Sequence, residues 1–187
     1  MQRIVILGNA GSGKSTLARE VGARAGLPVV HLDRLFWRPG WGKATPAEFH
    51  ADLVRAHAGE RWVSEGNYHR QSFAIRLARA DLVVWLDTPR GVCMKRVLVR
   101  SFLDRPRPDM ADGCRERLDA DFVVFLRYVF GFDRTARPRI EAERLRTSPD
   151  VPVTRLRGRR RITRFLQALP ERVTQGVPLM DREAREG

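Results

Sequence analysis

The 187-residue chain contains no apolar run close to the roughly 18 residues that a membrane-spanning helix needs. It has only two cysteines, Cys93 and Cys114, which supply neither a disulfide framework nor a metal-ligand spacing. A charged leader followed by an apolar segment is also missing, because a strand-like run begins at once. We therefore expect a soluble, cytoplasmic protein with no membrane partner.

Lysine is scarce as well. Lys14, Lys43 and Lys95 are the only lysines, and arginine provides the rest of a formal net charge of +13. Such a charge is compatible with binding to a nucleic-acid backbone. Biased codon usage would explain the arginines equally well, and arginine also suits paired hydrogen bonding to the phosphates of a small ligand. A nucleic acid therefore stays a second candidate partner, behind a small phosphorylated molecule.

The clearest motif follows an apolar run over residues 4–7. Gly8, Gly13, Lys14 and Ser15 fit G-x-x-x-x-G-K-[ST], in which backbone N–H groups surround phosphate oxygens and the lysine reaches the terminal phosphates. Apolar residues at helical spacing follow, so a helix N-terminus would face the loop. The alternative is a glycine-rich turn without a ligand. The residues expected to hold a nucleotide are Gly8, Asn9, Ala10, Gly11, Ser12, Gly13, Lys14, Ser15 and Thr16.

Apolar runs alternate with helical patterns along the chain, which predicts an α/β fold with a five-stranded parallel sheet flanked by helices. We expect one domain over residues 1–170 and a partly ordered polar tail over residues 171–187. The predicted strands are 3–7, 29–32, 62–64, 82–86 and 153–156. The predicted helices are 14–25, 46–58, 73–79, 90–102, 119–130, 137–145 and 160–169.

Three acidic residues directly follow predicted strands, at the sheet edge where ligands collect in parallel α/β folds. Asp33 could orient an acceptor hydroxyl, or it could be an ordinary turn residue. Glu65 could hold the waters around Mg²⁺, or it could be a solvated surface residue. Asp87 could be the carboxylate of a Walker B-like strand, or it could mark the turn before Pro89.

Aromatic and basic residues cluster in two further segments. Phe36 and Trp37 suit a planar anionic ligand, although a local hydrophobic cluster would explain them equally well. Arg96 and Arg100 lie four residues apart on one helix face, and Arg105 follows in a proline-rich stretch. This pattern predicts a short arginine-bearing lid that closes over a nucleotide, with a solvated basic helix end as the alternative.

Five segments together resemble the adenylate kinase-like P-loop proteins of the DNA topology modulation family. They are GNAGSGKSTLAR, HLDRLFWRPGW, WVSEGNY, DLVVWLDTP and RPDMADGCRERLD, and the resemblance covers roughly residues 4–169. The sequence differs from the adenylate kinase pattern at Glu65, which precedes Gly66 where adenylate kinases have aspartate. The lid is also short and lacks the four zinc-type cysteines.

The resemblance implies a P-loop NTPase fold of the nucleotide-kinase type, with ATP and Mg²⁺ as cofactors. Ser15 and Glu65 would serve the metal. Of Arg96 and Arg100, one would stack on the adenine and the other would contact a phosphate. The residues implied for the acceptor are Asp33, Phe36, Trp37, Gly66, Asn67 and Tyr68. The residues implied for catalysis are Lys14, Asp33, Arg100 and Arg105.

Two functions follow as expectations. The first is transfer of the γ-phosphate of Mg-ATP to a small acceptor, a nucleoside or nucleoside monophosphate. The second is a nucleotide-gated ATPase that binds DNA and modulates its topology. A regulatory GTPase is disfavoured, because the sequence contains no N-K-x-D guanine signature.

Overall fold

The computed structural model describes residues 1–103, 109–110, 113–114 and 119–170. In chain order the strands are β1 (Arg3–Gly8), β2 (Val29–His31), β3 (Trp37–Arg38), β4 (Gly42–Lys43), β5 (Trp62–Glu65), β6 (Leu82–Leu86) and β7 (Val153–Leu156). The helices are α1 (Lys14–Ala25), α2 (Leu32–Phe36), α3 (Pro46–Ala56), α4 (His69–Arg76), α5 (Arg90–Phe102), α6 (Ala120–Thr147) and α7 (Arg159–Gln167).

One parallel sheet forms the centre of the fold, with the strand order β2-β5-β1-β6-β7. The prediction of an α/β fold with a five-stranded parallel sheet flanked by helices is therefore confirmed. Strands β3 and β4 pair separately as a small antiparallel hairpin. Across residues 1–103, 109–110, 113–114 and 119–170, no helix combines the length and apolar character required to cross a membrane.

Strand β1 is buried on both faces, which explains why its sequence is continuously apolar rather than alternating. Val5 and Leu7 pack toward α3, α4 and α6, in a cluster that includes Phe49, Phe73 and Phe132. Ile4 and Ile6 point to the opposite face. There they pack against residues of α1 and against partly buried side chains of α7. The helix layers on both sides hold β1 at the centre, so its carboxyl end has a fixed position.

Helix α6 corrects one prediction. Residues 119–130 and 137–145 were expected to form two helices, but a single helix runs from Ala120 to Thr147 with Pro138 inside it. A proline in a helix removes one backbone hydrogen bond and costs about 3 kcal/mol. Phe132 and Ile140, on either side of the proline, are both buried in the core. Their burial offsets this cost and keeps the helix continuous.

Helix α2 corrects another boundary. Residues 29–32 were expected as a strand followed by a loop, whereas β2 ends at His31 and Leu32 starts a five-residue helix. Leu32 is fully buried beneath this turn. The turn of helix fixes the position of Asp33 just beyond the sheet edge. Residues 171–187, predicted as a partly ordered tail, lie outside the described residues.

Candidate active site

The loop between β1 and α1 has the geometry of a phosphate cradle. Gly11 has φ +74, and a Cβ atom there would lie only 2.5 Å from the backbone oxygen of Cys93, so only glycine fits. Gly13 has φ +101 and immediately precedes Lys14, the first residue of α1. The loop therefore presents backbone N–H groups and a helix N-terminus at the carboxyl end of the central strand, which suits an anion.

Neighbouring side chains tie this loop to the following helices. The ammonium group of Lys14 donates to the backbone oxygen of Asn9 over 2.9 Å. The backbone oxygen of Ser12 accepts from Thr88 Oγ1 (3.1 Å) and from Arg96 Nη1 (3.2 Å). Arg96, which was predicted to bind the nucleotide, thus lies against the loop itself.

A hydroxyl and two carboxylates meet beside Lys14. Ser15 Oγ lies 3.1 Å from Glu65 Oε1 and 3.1 Å from Asp109 Oδ2. Glu65 is buried, and His31 Nδ1 donates to the same Glu65 oxygen over 2.8 Å. Hard oxygen atoms of this kind are the ligands that Mg²⁺ prefers. The residues present at this position therefore fit a magnesium ion held by Ser15 and by waters on Glu65.

His31 and Asp109 had been given no chemical role from the sequence. The position of His31 as the last residue of β2 was a usable signal, because a parallel neighbouring strand places it beside Glu65. Asp109 follows a stretch of prolines and arginines and carries no spacing signal. In the described residues, no group of three or more histidine, cysteine, aspartate or glutamate side chains is arranged to hold a metal by itself.

A second polar group lies across the cleft. The hydroxyl of Tyr68 donates to Asp33 Oδ1 over 2.7 Å. Burial and the neighbouring carboxylate of Asp33 raise the pKa of Tyr68 well above its ordinary value, so the phenol remains protonated and able to donate. Asp33 therefore sits at the sheet edge with a fixed hydrogen-bond partner.

Asn67 connects the loop over residues 65–68 to the phosphate cradle. Its Oδ1 accepts from the backbone N–H of Gly8 (3.3 Å), and its Nδ2 donates to the backbone oxygen of Gly8 (3.0 Å). Both polar atoms of this side-chain amide, which was predicted to bind an acceptor, are thus hydrogen-bonded to the backbone of Gly8. Asn67 holds the two loops in register.

Arg76 lies beneath the 65–68 loop and is completely buried. Its guanidinium donates to the backbone oxygens of Gly66 and Asn67 and to the hydroxyl of Ser72 (2.9 Å). Burial lowers the pKa of Arg76 to about 9, while the charge of Glu65 opposes this change. No motif or spacing in the sequence indicated that this helix residue supports the site.

A cleft of about 1590 Å³ joins these groups. The predicted site residues that line it are Ala10, Gly11, Gly13, Lys14, Ser15, Thr16, Asp33, Trp37, Glu65, Gly66, Asn67, Tyr68, Arg96 and Arg100. Gly8, Asn9, Ser12 and Phe36 are not among the lining residues. Arg105 lies outside the described residues.

Two of the non-lining side chains have clear packing roles. Asn9 is buried, and its Nδ2 donates to the backbone oxygen of Val129 in α6 over 2.8 Å. Phe36 packs edge-to-face against Phe49 and Trp37, with ring centroids 5.3 and 5.0 Å apart. The expectation that Phe36 faces a ligand is therefore corrected, because its ring joins the core. Trp37, by contrast, does line the cleft.

Asp87 does not line the cleft either. Its Oδ1 accepts from Arg137 Nη1 of α6 over 2.9 Å. The guanidinium of Arg137 also lies 5.4 Å from the ring centroid of Trp85. The acidic residue after β6 thus binds a helix of the fold rather than facing the phosphate cradle.

Comparison with known proteins identifies relatives for this arrangement. No family model matches the sequence. A shikimate kinase of Bradyrhizobium diazoefficiens is 30% identical over 123 residues, which cover 58% of this chain. This chain thus spans 58% of that relative's length.

Solved structures show the same architecture. A shikimate kinase from Acinetobacter baumannii, determined in complex with shikimate, superposes with a TM-score of 0.50 at 14% identity over 89% of each chain. A sugar kinase from Janibacter sp. HTCC2649 aligns over 89% of this chain and 93% of its own, with 20% identity and a TM-score of 0.47. The superposition on the shikimate kinase structure shows that this chain has the α/β fold of a P-loop kinase.

Proposed function

We propose that this protein is an ATP-dependent phosphotransferase that transfers the γ-phosphate of Mg-ATP to a hydroxyl group of a small acceptor. The observation that carries the proposal is the convergence of Lys14, Ser15, Glu65 and Asp33 on one cleft. Its volume of about 1590 Å³ exceeds the usual size of a single-ligand pocket, so a donor and an acceptor fit together. The 30% identity to a shikimate kinase supports the same reaction class.

The donor side follows from the phosphate cradle. Backbone N–H groups of residues 8–16 would bind the phosphates, and Lys14 would exchange its contact with Asn9 for the terminal phosphate oxygens. Ser15 and Glu65 would hold Mg²⁺, which when bound neutralises charge on the phosphate oxygens. Arg100, which lines the same cleft, would add positive charge beside the transferring group.

On the acceptor side Asp33 is the group placed to orient a hydroxyl and accept its proton. In the transfer, the acceptor oxygen forms a bond to the γ-phosphorus, the bond from that phosphorus to the β–γ bridging oxygen breaks, and ADP leaves. The proton of the acceptor hydroxyl passes to the carboxylate of Asp33. This step requires no group beyond ATP, Mg²⁺ and the acceptor.

A nucleoside or nucleoside monophosphate is the proposed acceptor. Trp37 and Trp41 line the cleft, and the ammonium group of Lys43 lies 5.7 Å from the ring centroid of Trp37. Aromatic faces next to a cation suit a planar ring that carries negative charge. The adenylate kinase-like and DNA topology modulation resemblance supports the same choice, whereas the shikimate kinase relative supports a smaller hydroxy acid.

The test is a transfer assay with radiolabelled ATP, Mg²⁺ and a panel of nucleosides, nucleoside monophosphates and shikimate. We expect a labelled product from at least one nucleoside or nucleotide and none from the Lys14→Ala variant. A product from shikimate alone would keep the enzyme class and change the acceptor. No transfer above the Lys14→Ala background would reject the phosphotransferase.

Exposed arginines favour one second function, a nucleotide-gated DNA-binding ATPase. Arg159, Arg160, Arg161 and Arg164 are all exposed on or near one face of α7. Binding to duplex DNA through its backbone would weaken steeply between low and physiological salt. Titration of labelled duplex DNA at several salt concentrations tests this function, and negligible affinity at low salt excludes it.

A further inference from the structure

The hydrogen bond between Tyr68 and Asp33 lies on the wall of the cleft, which both residues line. The phenol of Tyr68 keeps its proton, because burial and the Asp33 carboxylate raise its pKa. The hydroxyl donates to Asp33 Oδ1 over 2.7 Å. A hydrogen bond from a hydroxyl to a carboxylate is assisted by the negative charge, and such bonds are roughly twice as strong as those between neutral groups.

Tyr68 is held in an unusual conformation to make this contact. Its φ of +23 and ψ of +41 lie outside the common regions for a bulky residue. The backbone oxygen of Tyr68 accepts from the N–H and hydroxyl of Ser72, at 2.9 and 2.8 Å. The guanidinium of Arg76 donates to the backbone oxygens of the two preceding residues, Gly66 and Asn67. A strained backbone persists only where its surroundings over-determine it, and such positions cluster at functional sites.

Packing fixes the ring itself as well. The Tyr68 ring lies 5.0 Å from the ring of Phe36 and 5.2 Å from the ring of Phe49, centroid to centroid. Both partners belong to the apolar cluster on one face of the sheet or pack against it. The core therefore fixes the direction of the hydroxyl group, which has little freedom to leave Asp33.

We propose that Tyr68 is a positioning residue, whose hydroxyl fixes the orientation of the Asp33 carboxylate toward the acceptor. This role differs from the direct acceptor contact that the sequence suggested for Tyr68. Its catalytic meaning rests on the proposed phosphotransferase function. The energetic link between the two side chains is a property of the folded protein and can be measured without any substrate.

The first experiment is a double-mutant cycle on the free energy of unfolding, measured by urea denaturation. The four proteins are the wild type, Tyr68→Phe, Asp33→Ala and the double variant. Phenylalanine keeps the ring contacts and removes only the hydroxyl. We expect Tyr68→Phe to lower the unfolding midpoint in the wild-type background and to lower it much less in the Asp33→Ala background. An equal loss in both backgrounds would overturn the proposal.

Thr135→Val is the control, because it removes a hydroxyl that donates to the backbone oxygen of Gly131 within α6 and does not line the cleft. Its effect on the unfolding midpoint should be the same with and without the Asp33→Ala substitution. The cycle gives an answer even if the protein proves to transfer no phosphate. A failed phosphotransferase and a failed positioning role are thus distinguishable.

The second experiment uses the acceptor that the transfer panel identifies. Misplacement of a reacting group by about 1 Å can cost up to about 100-fold in rate, so we expect Tyr68→Phe to lower kcat by about 10- to 100-fold. The KM for ATP should not change, and the substitution should have less than about a twofold effect once Asp33 is alanine. A purely structural tyrosine would instead alter the KM for ATP or act equally in both backgrounds.

Discussion

The two halves of the cleft are built in different ways. The donor half, residues 8–16, is one continuous stretch between β1 and α1, and its shape follows from glycine conformations and a helix start. The acceptor half combines α2 and the adjoining β3–β4 hairpin with the 65–68 loop, which follows only after α3 and β5. The shape of a contiguous motif is determined by its own residues, whereas a surface assembled from separate segments depends on contacts between distant parts of the chain. Under the proposed function, we expect the contiguous half to bind the donor and the assembled half to determine which acceptor is used.

The largest expected effect concerns the donor half. Lys14→Ala should reduce kcat for phosphoryl transfer by about 10²- to 10³-fold, because a preorganised positive group at the transferring phosphate is lost. Steady-state kinetics on the folded variant measure this loss. Arg161→Ala is the matched control, since it removes one positive charge from exposed α7, away from the cleft. Equal kinetics for Lys14→Ala and the wild type would show that Lys14 has no part in phosphoryl transfer.

A somewhat smaller effect is expected where the two halves meet at the metal. Glu65→Gln should raise the Mg²⁺ concentration required for half-maximal activity by about 10- to 100-fold, because the outer carboxylate that Ser15 and His31 contact is neutralised. A thermal-shift titration of Mg²⁺ with ATP gives an independent readout. Glu60→Gln, at an exposed glutamate, should leave the Mg²⁺ dependence unchanged. If Glu65→Gln behaves in the same way, Glu65 does not serve the metal.

Loss of the hydrogen bonds that join the two halves should have a smaller effect than either of these substitutions. Asn67→Leu removes both hydrogen bonds to Gly8, so the unfolding free energy should fall by about 1–2 kcal/mol. Urea unfolding measures this change. Gln71→Leu, at an exposed polar position on α4, serves as the control. A variant with wild-type stability would show that the two loops keep their positions independently.

The smallest effect is a pH dependence beneath the acceptor half. Burial lowers the pKa of His57 from 6.5 to about 4, and His57 Nε2 contacts Ser64 Oγ beside Glu65. The neutral imidazole therefore stabilises the folded state fully above pH 6.5, and this contribution is lost as the pH falls toward 4.

Between pH 7 and pH 5.5 the expected loss is about 1 kcal/mol of unfolding free energy. Urea unfolding at both pH values, compared with the His57→Gln variant, measures it. His50→Gln, at an exposed histidine, should retain the wild-type pH dependence. If His57→Gln has the same pH dependence as the wild type, titration of other groups causes the loss of unfolding free energy.

The sequence predicted the features that depend on neighbouring residues. The strand and helix around the phosphate loop were placed almost to the residue, since glycine spacing and apolar periodicity act locally. The continuous helix across Pro138 was missed, because burial of Phe132 and Ile140 outweighs the local cost of proline. Tertiary packing of this kind leaves no local signal.

The acceptor side was predicted only in part. Asp33, Trp37 and Tyr68 were predicted to lie where the carboxyl ends of parallel strands meet, and all three line the cleft, while their contact with an acceptor stays a prediction. The support from Arg76 could not be read from the sequence, since an arginine at that helix position ordinarily faces solvent. The hydrogen bond from Tyr68 to Asp33 spans 35 residues and requires the folded sheet.

The Asn67 amide joins two loops that would each face a different ligand. Gly8 begins the phosphate loop, so any shift of residues 65–68 is transmitted to it through two hydrogen bonds. Thermodynamic reciprocity then applies: if one bound molecule tightens binding of the other by some factor, the second must tighten binding of the first by the same factor. A single side chain would thus let the protein favour the complete pair of ligands over either one alone.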